Sequence, residues 1–217
     1  MAVAALLAVS GVVFLLVRSD DDKPKARASR ALPVTSQRDT GAVALASLLT
    51  RSRGETYHAT YTSSGNLKVS GGSVTMEIWN KKGKSRVDTT LTTADRQVHT
   101  ASILTGGKAV VCQKSTADWT CSSAPAANSG GAVGLVAALQ GQLSGRAVSE
   151  NAAKVDNRQA RCFQVAATAG AEQLGVCVDP HRGILLKLSS SEAQIQIDKL
   201  DSSVPDNAFD PPAAAKS

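Results

Sequence analysis

The stretch that decides the fold is RCFQVAATAGAEQLGVCVD, residues 161–179. A two-residue turn at Ala169-Gly170 sets Cys162 directly opposite Cys177 on two antiparallel strands. Directly opposed strand residues have a separation that is compatible with a disulfide. Because strand side chains alternate with period two, the same register places apolar pairs together on the other face of the ribbon: Phe163 with Val176 and Val165 with Leu174. The stretch therefore predicts a disulfide-closed hairpin with one apolar face.

The other two cysteines have a similar spacing. AVVCQKSTADWTCS, residues 109–122, has the pattern of strand, polar loop and strand, with Cys112 facing Cys121. The alternative is that all four cysteines are reduced and buried. Two pairs at hairpin spacing favour an oxidising compartment. No C-x-x-C occurs and the three histidines are scattered, so the sequence predicts no metal site.

The N-terminus predicts a membrane anchor. Residues 2–17, AVAALLAVSGVVFLLV, carry no charge, and Arg18 follows them. We predict an uncleaved anchor over 1–19 and a flexible charged stalk over 20–38; cleavage as a signal peptide near Ala26-Arg27-Ala28 is the alternative. The positive-inside rule places the body in the cytoplasm, whereas the cysteines place it outside. We follow the cysteines: a single-pass protein of the cell membrane with an extracytoplasmic body.

The distribution of charge indicates the type of partner. The chain has a formal net charge of +6. Most of the excess lies between Arg18 and Arg53, beside the apolar N-terminus, where anionic lipid is the natural partner. The rest of the sequence shows no basic stripe interleaved with aromatics, so we predict no binding of nucleic acid.

Two helices and about ten strands are predicted in the body, residues 39–212. The first helix covers residues 39–53, and the second covers 132–143, where Leu135, Val136, Leu139 and Leu143 share one face. Strands joined by short turns form an antiparallel sheet, which two interspersed helices can cover on one face. The fold class is α+β: a curved, open half-barrel with helices on its concave face. Residues 213–217 are predicted to be a disordered tail.

Four stretches in this order resemble the LolA-like family of envelope proteins, most closely its actinobacterial branch of LppX/LprG-type lipid carriers. They are the segment from Gly54 to Tyr61, GKSRVD at 83–88, RCFQV…GVCVDPHRG at 161–183 and VPDNAFDPP at 204–212. The resemblance covers nearly all of 39–212. The sequence differs from lipoprotein members in lacking a lipobox cysteine, and from many lipid-binding members in having few aromatic residues.

The resemblance implies a hydrophobic cavity between sheet and helices that binds lipids or the acyl chains of lipoproteins. The apolar pattern supplies ten candidate lining residues, which equally well form an ordinary core: Val74, Met76, Ile78, Leu135, Val136, Leu139, Phe163, Val165, Leu174 and Val176. The alternative function is an envelope sensor or scaffold of the same fold that binds a protein partner.

An enzyme is the competing class of function, and the sequence gives it little support. His181 and Asp179 lie two residues apart on a predicted turn, without a nucleophile beside them, and no hydrolase, phosphate-loop or dinucleotide motif occurs. Convergence of Glu77, Asp88 and Glu172 is one way to form a set of carboxylates, but acidic residues on exposed strand faces are ordinary. We predict no catalytic residues and no cofactor.

Overall fold

A computed structural model describes residues 38–64, 72–114, 118–125, 132–169, 171–191 and 193–216. The predicted anchor, and the predicted stalk up to residue 37, lie outside these ranges. Within them, neither helix has both the length and the apolar character needed to cross a bilayer.

One twelve-stranded sheet, two α-helices and a short 3-10 helix (Asp206–Phe209) make up the described fold. The spatial order of the strands is β12-β6-β5-β4-β3-β2-β1-β11-β10-β9-β8-β7, so the sheet is open and β1 and β11 meet near its middle. All neighbours are antiparallel except β12 and β6. The helices are α1 (Arg38–Ser52) and α2 (Ala132–Leu143), and the strands are β1 (Tyr57–Ser64), β2 (Ser73–Lys81), β3 (Lys84–Thr92), β4 (Gln97–Thr105), β5 (Lys108–Lys114), β6 (Trp119–Ala124), β7 (Val148–Val155), β8 (Arg158–Val165), β9 (Leu174–Val178), β10 (Leu185–Ser189), β11 (Gln194–Asp201) and β12 (Ala215–Lys216).

The predicted hairpin register is confirmed residue by residue. Across β8 and β9, Cys162 pairs with Cys177, and the apolar pairs follow in the same register. Cys112 pairs with Cys121 across β5 and β6. Both pairs are disulfide-bonded, and the described residues contain no free cysteine. Disulfides of this kind persist in oxidising compartments and indicate an extracytoplasmic body.

The strand count differs from the prediction at two places. Strand β7, VSENAAKV, was missed because it lies at the sheet edge and most of its side chains are exposed, so its sequence has no apolar alternation. Backbone pairing with β8 along its whole length, together with the buried valines at its two ends, Val148 and Val155, holds it in the sheet. Strand β12 lies within the segment predicted as a tail and pairs in parallel with β6.

Helix α1 packs on the sheet and reaches from one end of the strands to the other. Its first turn approaches β7 so closely that a side chain at Gly41 would meet the carbonyl of Val148. At its last turn, the buried Asn80 amide donates to the carbonyl oxygens of Ser52 (3.2 Å) and Glu55 (2.6 Å). The carbonyl of Ser52 is one that the helix end leaves without an intrahelical partner, and that of Glu55 lies just beyond the helix, so this amide fixes the end of α1 to β2.

The main core lies between the helices and the sheet. Leu45, Leu48 and Leu49 of α1 and Val136, Leu139 and Leu143 of α2 pack in one cluster with apolar side chains from the strands. Two smaller clusters lie under the C-terminal segment: Val204 and Phe209 pack on Ile103, and Ala213 packs against the cluster that contains the Cys112–Cys121 disulfide. The C-terminal segment thus crosses the sheet from β11 towards β6.

Candidate functional site

The candidate site is the contact between α2, the last turn of α1 and the middle of the sheet, which we call the seam. It contains a cavity of about 10 Å³, about the smallest that can hold one water molecule. Nine residues line it: Leu49, Ser52, Tyr57, Tyr61, Ile78, Leu135, Val136, Leu139 and Leu185. In this conformation the seam is packed, and an acyl chain has no open cavity to occupy.

The structure brings nine of the ten predicted lining residues into the main core. Ile78, Leu135, Val136 and Leu139 line the cavity itself. Five more pack in this core without lining the cavity: Met76, Phe163, Val165, Leu174 and Val176. Val74 is buried but lies outside this cluster. Their role as ligand contacts stays a prediction.

Sequence reasoning missed five of the cavity-lining residues, among them two tyrosines. Tyr57 and Tyr61 alternate with the polar residues of β1 and flank Ala59 on the same face, and all three are buried. This period-two pattern is the signal that would have found them. Leu49 belongs to the apolar stripe of α1, whereas Ser52 and Leu185 carry no distinctive signal.

Polar groups inside the seam are few and deeply buried. The Tyr61 hydroxyl donates to the carbonyl oxygen of Leu185 at 2.9 Å. Burial raises the pKa values of both Tyr61 and Tyr57 well above the usual range, because the ionised form would lose its hydration. Both phenols are therefore neutral at physiological pH. Among the nine residues that line the cavity, the hydroxyl groups of Ser52, Tyr57 and Tyr61 are the polar side-chain groups.

Helix α2 is attached to the rest of the domain by polar contacts at two places. The Gln140 amide donates to Ala46 O (3.2 Å) and Thr50 Oγ1 (3.0 Å) of α1, and its oxygen accepts from Arg53 Nη2 (3.2 Å). Just beyond the helix, the buried Arg146 guanidinium donates to carbonyl groups of the β8–β9 hairpin. Between these places, α2 lies on the core through aliphatic side chains.

The carboxylates considered as a catalytic set are each bound by a different partner. Glu77 contacts His58 at 3.1 Å, Asp88 pairs with Arg86 at 2.7 Å, and Glu172 accepts from Ser191 at 2.8 Å. Glu77 and Asp88 lie opposite each other across β2 and β3, and Glu172 lies apart, before β9. The structure does not bring the three together.

His181 and Asp179 lie on the turn between β9 and β10, as their spacing predicts. Asp179 Oδ1 accepts the backbone N–H groups of His181 and Arg182, each at 2.8 Å. An aspartate that caps its own turn in this way has a structural role that accounts for its position. Across the described ranges, no three His, Cys, Asp or Glu side chains cluster as metal ligands do.

Two of the solved structures that match this chain are informative about its fold. A chain of the Pseudomonas aeruginosa MucA/MucB complex aligns with a TM-score of 0.52 and 15% identity, over 79% of this chain and 60% of that one. An uncharacterized conserved protein from Thermus thermophilus aligns with a TM-score of 0.50 and 6% identity, over 78% of this chain and 93% of that one. These matches fit a LolA-like fold. At such low identity they establish the fold and leave the function open.

The chain spans about 60% of the Pseudomonas chain that it matches. No family model matches the sequence, and no curated protein is significantly similar to it.

Proposed function

We propose that this domain is a non-catalytic, extracytoplasmic binding protein that is tethered to the cell membrane and takes an acyl chain of a lipid or lipoprotein into the seam. The observation that carries the proposal is the make-up of the seam: eight of its nine lining residues are aliphatic or aromatic, and they come from separate helices and strands. Within the LolA-like fold, the LppX/LprG-type carriers that the sequence resembles support a role in envelope lipid transport.

Entry of a chain requires α2 to move outward, because the present cavity holds only about one water molecule. The contacts that oppose this motion are mostly aliphatic, and an acyl chain replaces them with contacts of the same kind. Each methylene that is buried contributes about 0.8 kcal/mol, so ten methylenes offset the loss of several side-chain contacts. The Gln140 hydrogen bonds are the polar contacts that such a movement breaks.

A second function is supported by a different observation. The seam is well packed and leaves only a small cavity, as expected of a domain that binds a protein partner on its surface rather than a ligand inside. One matched structure is a complex of two proteins, MucA and MucB. The alternative proposal is therefore an envelope sensor or scaffold that presents this fold to a protein partner without lipid transfer.

The test uses a body beginning at residue 30, which contains every described element, purified without detergent. Native mass spectrometry and lipid extraction then report any bound lipid. Leu135→Glu places a charge on a half-buried, cavity-lining position from which it can reach solvent, so we expect a folded protein that has lost its lipid. The matched control is Val43→Glu on α1, because Val43 is 66% exposed and lies away from the cavity.

The outcomes separate the two functions. Lipid in the wild-type body and in the Val43 variant, but not in the folded Leu135 variant, supports the acyl-chain proposal. A lipid-free wild-type body that also fails to bind an added fluorescent fatty acid contradicts it. Recovery of one protein partner by that lipid-free body, at equal yield with both variants, favours the sensor or scaffold.

A further inference from the structure

Strand register brings four lysines together at one end of the sheet. Lys81 pairs with Lys84 across β2 and β3, Lys84 with Thr105 across β3 and β4, and Thr105 with Lys108 across β4 and β5. Directly paired residues share a face, and neighbouring strands are about 4.8 Å apart, so these three lysines lie in one row roughly 14 Å long. Lys82 lies in the turn between β2 and β3. We call Lys81, Lys82, Lys84 and Lys108 the lysine rim.

The charge of the rim is largely uncompensated. In the described part of the chain, one carboxylate, Asp206, forms a salt bridge with it, at 2.7 Å from Lys81. That hydrogen bond lowers the pKa of Asp206, and the Coulomb attraction of Lys81 and Lys84 adds to the effect. Lys84 also lies over the ring of Phe209, at 5.7 Å. Lys82 and Lys108 are exposed.

Stability does not explain this arrangement. Like charges directly opposite each other across two strands are destabilising, and Lys81 and Lys84 are such a pair. Among the described residues at the other end of these strands the charges balance, with Asp95 and Arg96 in the β3–β4 turn, Lys114 at the end of β5 and Asp118 just before β6. An excess of one sign confined to one end of a sheet is typical of a surface that meets an opposite charge.

The rim lies at the same end of the molecule as the seam. Lys81 directly follows Asn80, whose amide holds the end of α1 at Ser52, and Ser52 lines the cavity. Tyr57 and Leu185, at the first positions of β1 and β10, line the cavity from that end too. A charged surface that contacts the rim therefore meets the end of the sheet where the seam lies, on the face opposite the seam.

We infer that the lysine rim docks this end of the domain onto an anionic membrane surface. Four lysines at or beside two adjacent turns match a plane of lipid phosphate groups. Such a plane binds a basic surface without requiring precise positions of the lysines. Docking does not require a ligand in the seam. It holds the end of the domain that contains the seam against the membrane, which is the source of lipid.

The geometry of the chain permits this orientation. Helix α1 begins beside Val148, at the far end of the sheet, and ends beside Asn80, at the rim. Its 15 residues span about 22 Å. Residues 20–37 separate the predicted anchor from α1 and, fully extended, reach roughly 60 Å. A tether of that length lets the rim return to the membrane that holds the anchor.

The experiment measures the accessibility of each lysine in the full-length protein. The chain is inserted through its N-terminus into nanodiscs of phosphatidylcholine, with or without about 30% phosphatidylglycerol, which gives the anionic surface potential. A brief pulse of an amine-acylating reagent and peptide mass spectrometry then give the labelling rate of each residue. We expect Lys82, Lys84 and Lys108 to react about five-fold more slowly on the anionic discs, whereas Lys114 and Lys187 react equally on both.

A pair of variants tests whether the rim itself is responsible. Lys82→Glu with Lys108→Glu should abolish the protection of Lys84, and Lys114→Glu with Lys187→Glu makes the same change in net charge and should leave it intact. Protection should also disappear in about 0.5 M salt, where screening shortens the range of surface charge to a few ångströms.

Three outcomes overturn the inference. Equal rates for the rim lysines on both kinds of disc mean that the rim does not meet the bilayer. Equal protection of every lysine means that net charge, rather than the rim, draws the protein to the surface. Protection that appears in isolated cell envelopes but not on anionic discs assigns the rim to an acidic protein instead.

Discussion

The buried Arg146 provides the sharpest test of what holds α2 in place. Only 7% of this residue is exposed, and its acceptors are uncharged. Nε donates to Ala166 O at 2.8 Å, Nη2 to Glu172 O, and Nη1 to the carbonyl and side-chain oxygens of Gln142 at 3.3 and 3.2 Å. One planar guanidinium thus links the end of α2 to both sides of the β8–β9 hairpin.

The hydrogen bonds of Arg146 set the loss of stability that is expected when its side chain is removed. Hydrogen bonds to a charged group contribute about 1.5–3 kcal/mol each, and a buried carbonyl left without a donor adds a desolvation penalty. The four bonds share one side chain, so their contributions do not add. Arg146→Ala should therefore lower the free energy of unfolding by about 3–5 kcal/mol, a large share of the roughly 5–15 kcal/mol typical of a domain. Arg146→Lys should recover roughly half of this loss, because an ammonium group cannot reproduce the planar fork.

Urea unfolding of the oxidised body, followed by far-ultraviolet circular dichroism, measures these differences. Arg51→Ala is the control: Arg51 is exposed and donates to the carbonyl oxygen of His181, so its loss should cost less than about 0.5 kcal/mol. A loss below about 1 kcal/mol for Arg146→Ala, or a lysine variant as stable as the wild type, would refute the role of the guanidinium fork.

Three further predictions concern the disulfide, the core and the topology. Replacing Cys162 and Cys177 together by Ser should lower the free energy of unfolding by about 3 kcal/mol in the chain-entropy model. In the wild-type protein, non-reducing peptide mapping should find no disulfide that joins either of these cysteines to the β5–β6 pair. Leu139→Ala should cost about 2–5 kcal/mol in the same unfolding assay because the side chain is 3% exposed, whereas Val43→Ala should be nearly neutral. A single Cys at Ser217, in a variant without the other cysteines, should react with a membrane-impermeant reagent on intact cells; labelling only after lysis would place the body in the cytoplasm.

The local elements followed from the sequence because their determinants are local. The register of Cys162 with Cys177 depends on a two-residue turn and on the period of two along each strand, both visible within residues 161–179. The second helix was predicted with its observed limits, Ala132–Leu143, because its apolar residues recur at helical spacing and Gly145 follows with a positive φ of 68°. In contrast, β7 lacks apolar alternation because, as an edge strand, it buries little.

The tertiary structure alone decided how these elements meet. The pairing of β1 with β11 joins two halves of the sheet that are far apart in the sequence. It brings Leu185 to the same cavity as Tyr57 and Ile78. The lysine rim depends in the same way on three successive registers that align Lys81, Lys84 and Lys108. Whether the apolar residues enclose an open cavity or a packed core depends on the distance between the helices and the sheet and on how completely the side chains fill it. The sequence pattern of apolar residues does not encode that distance.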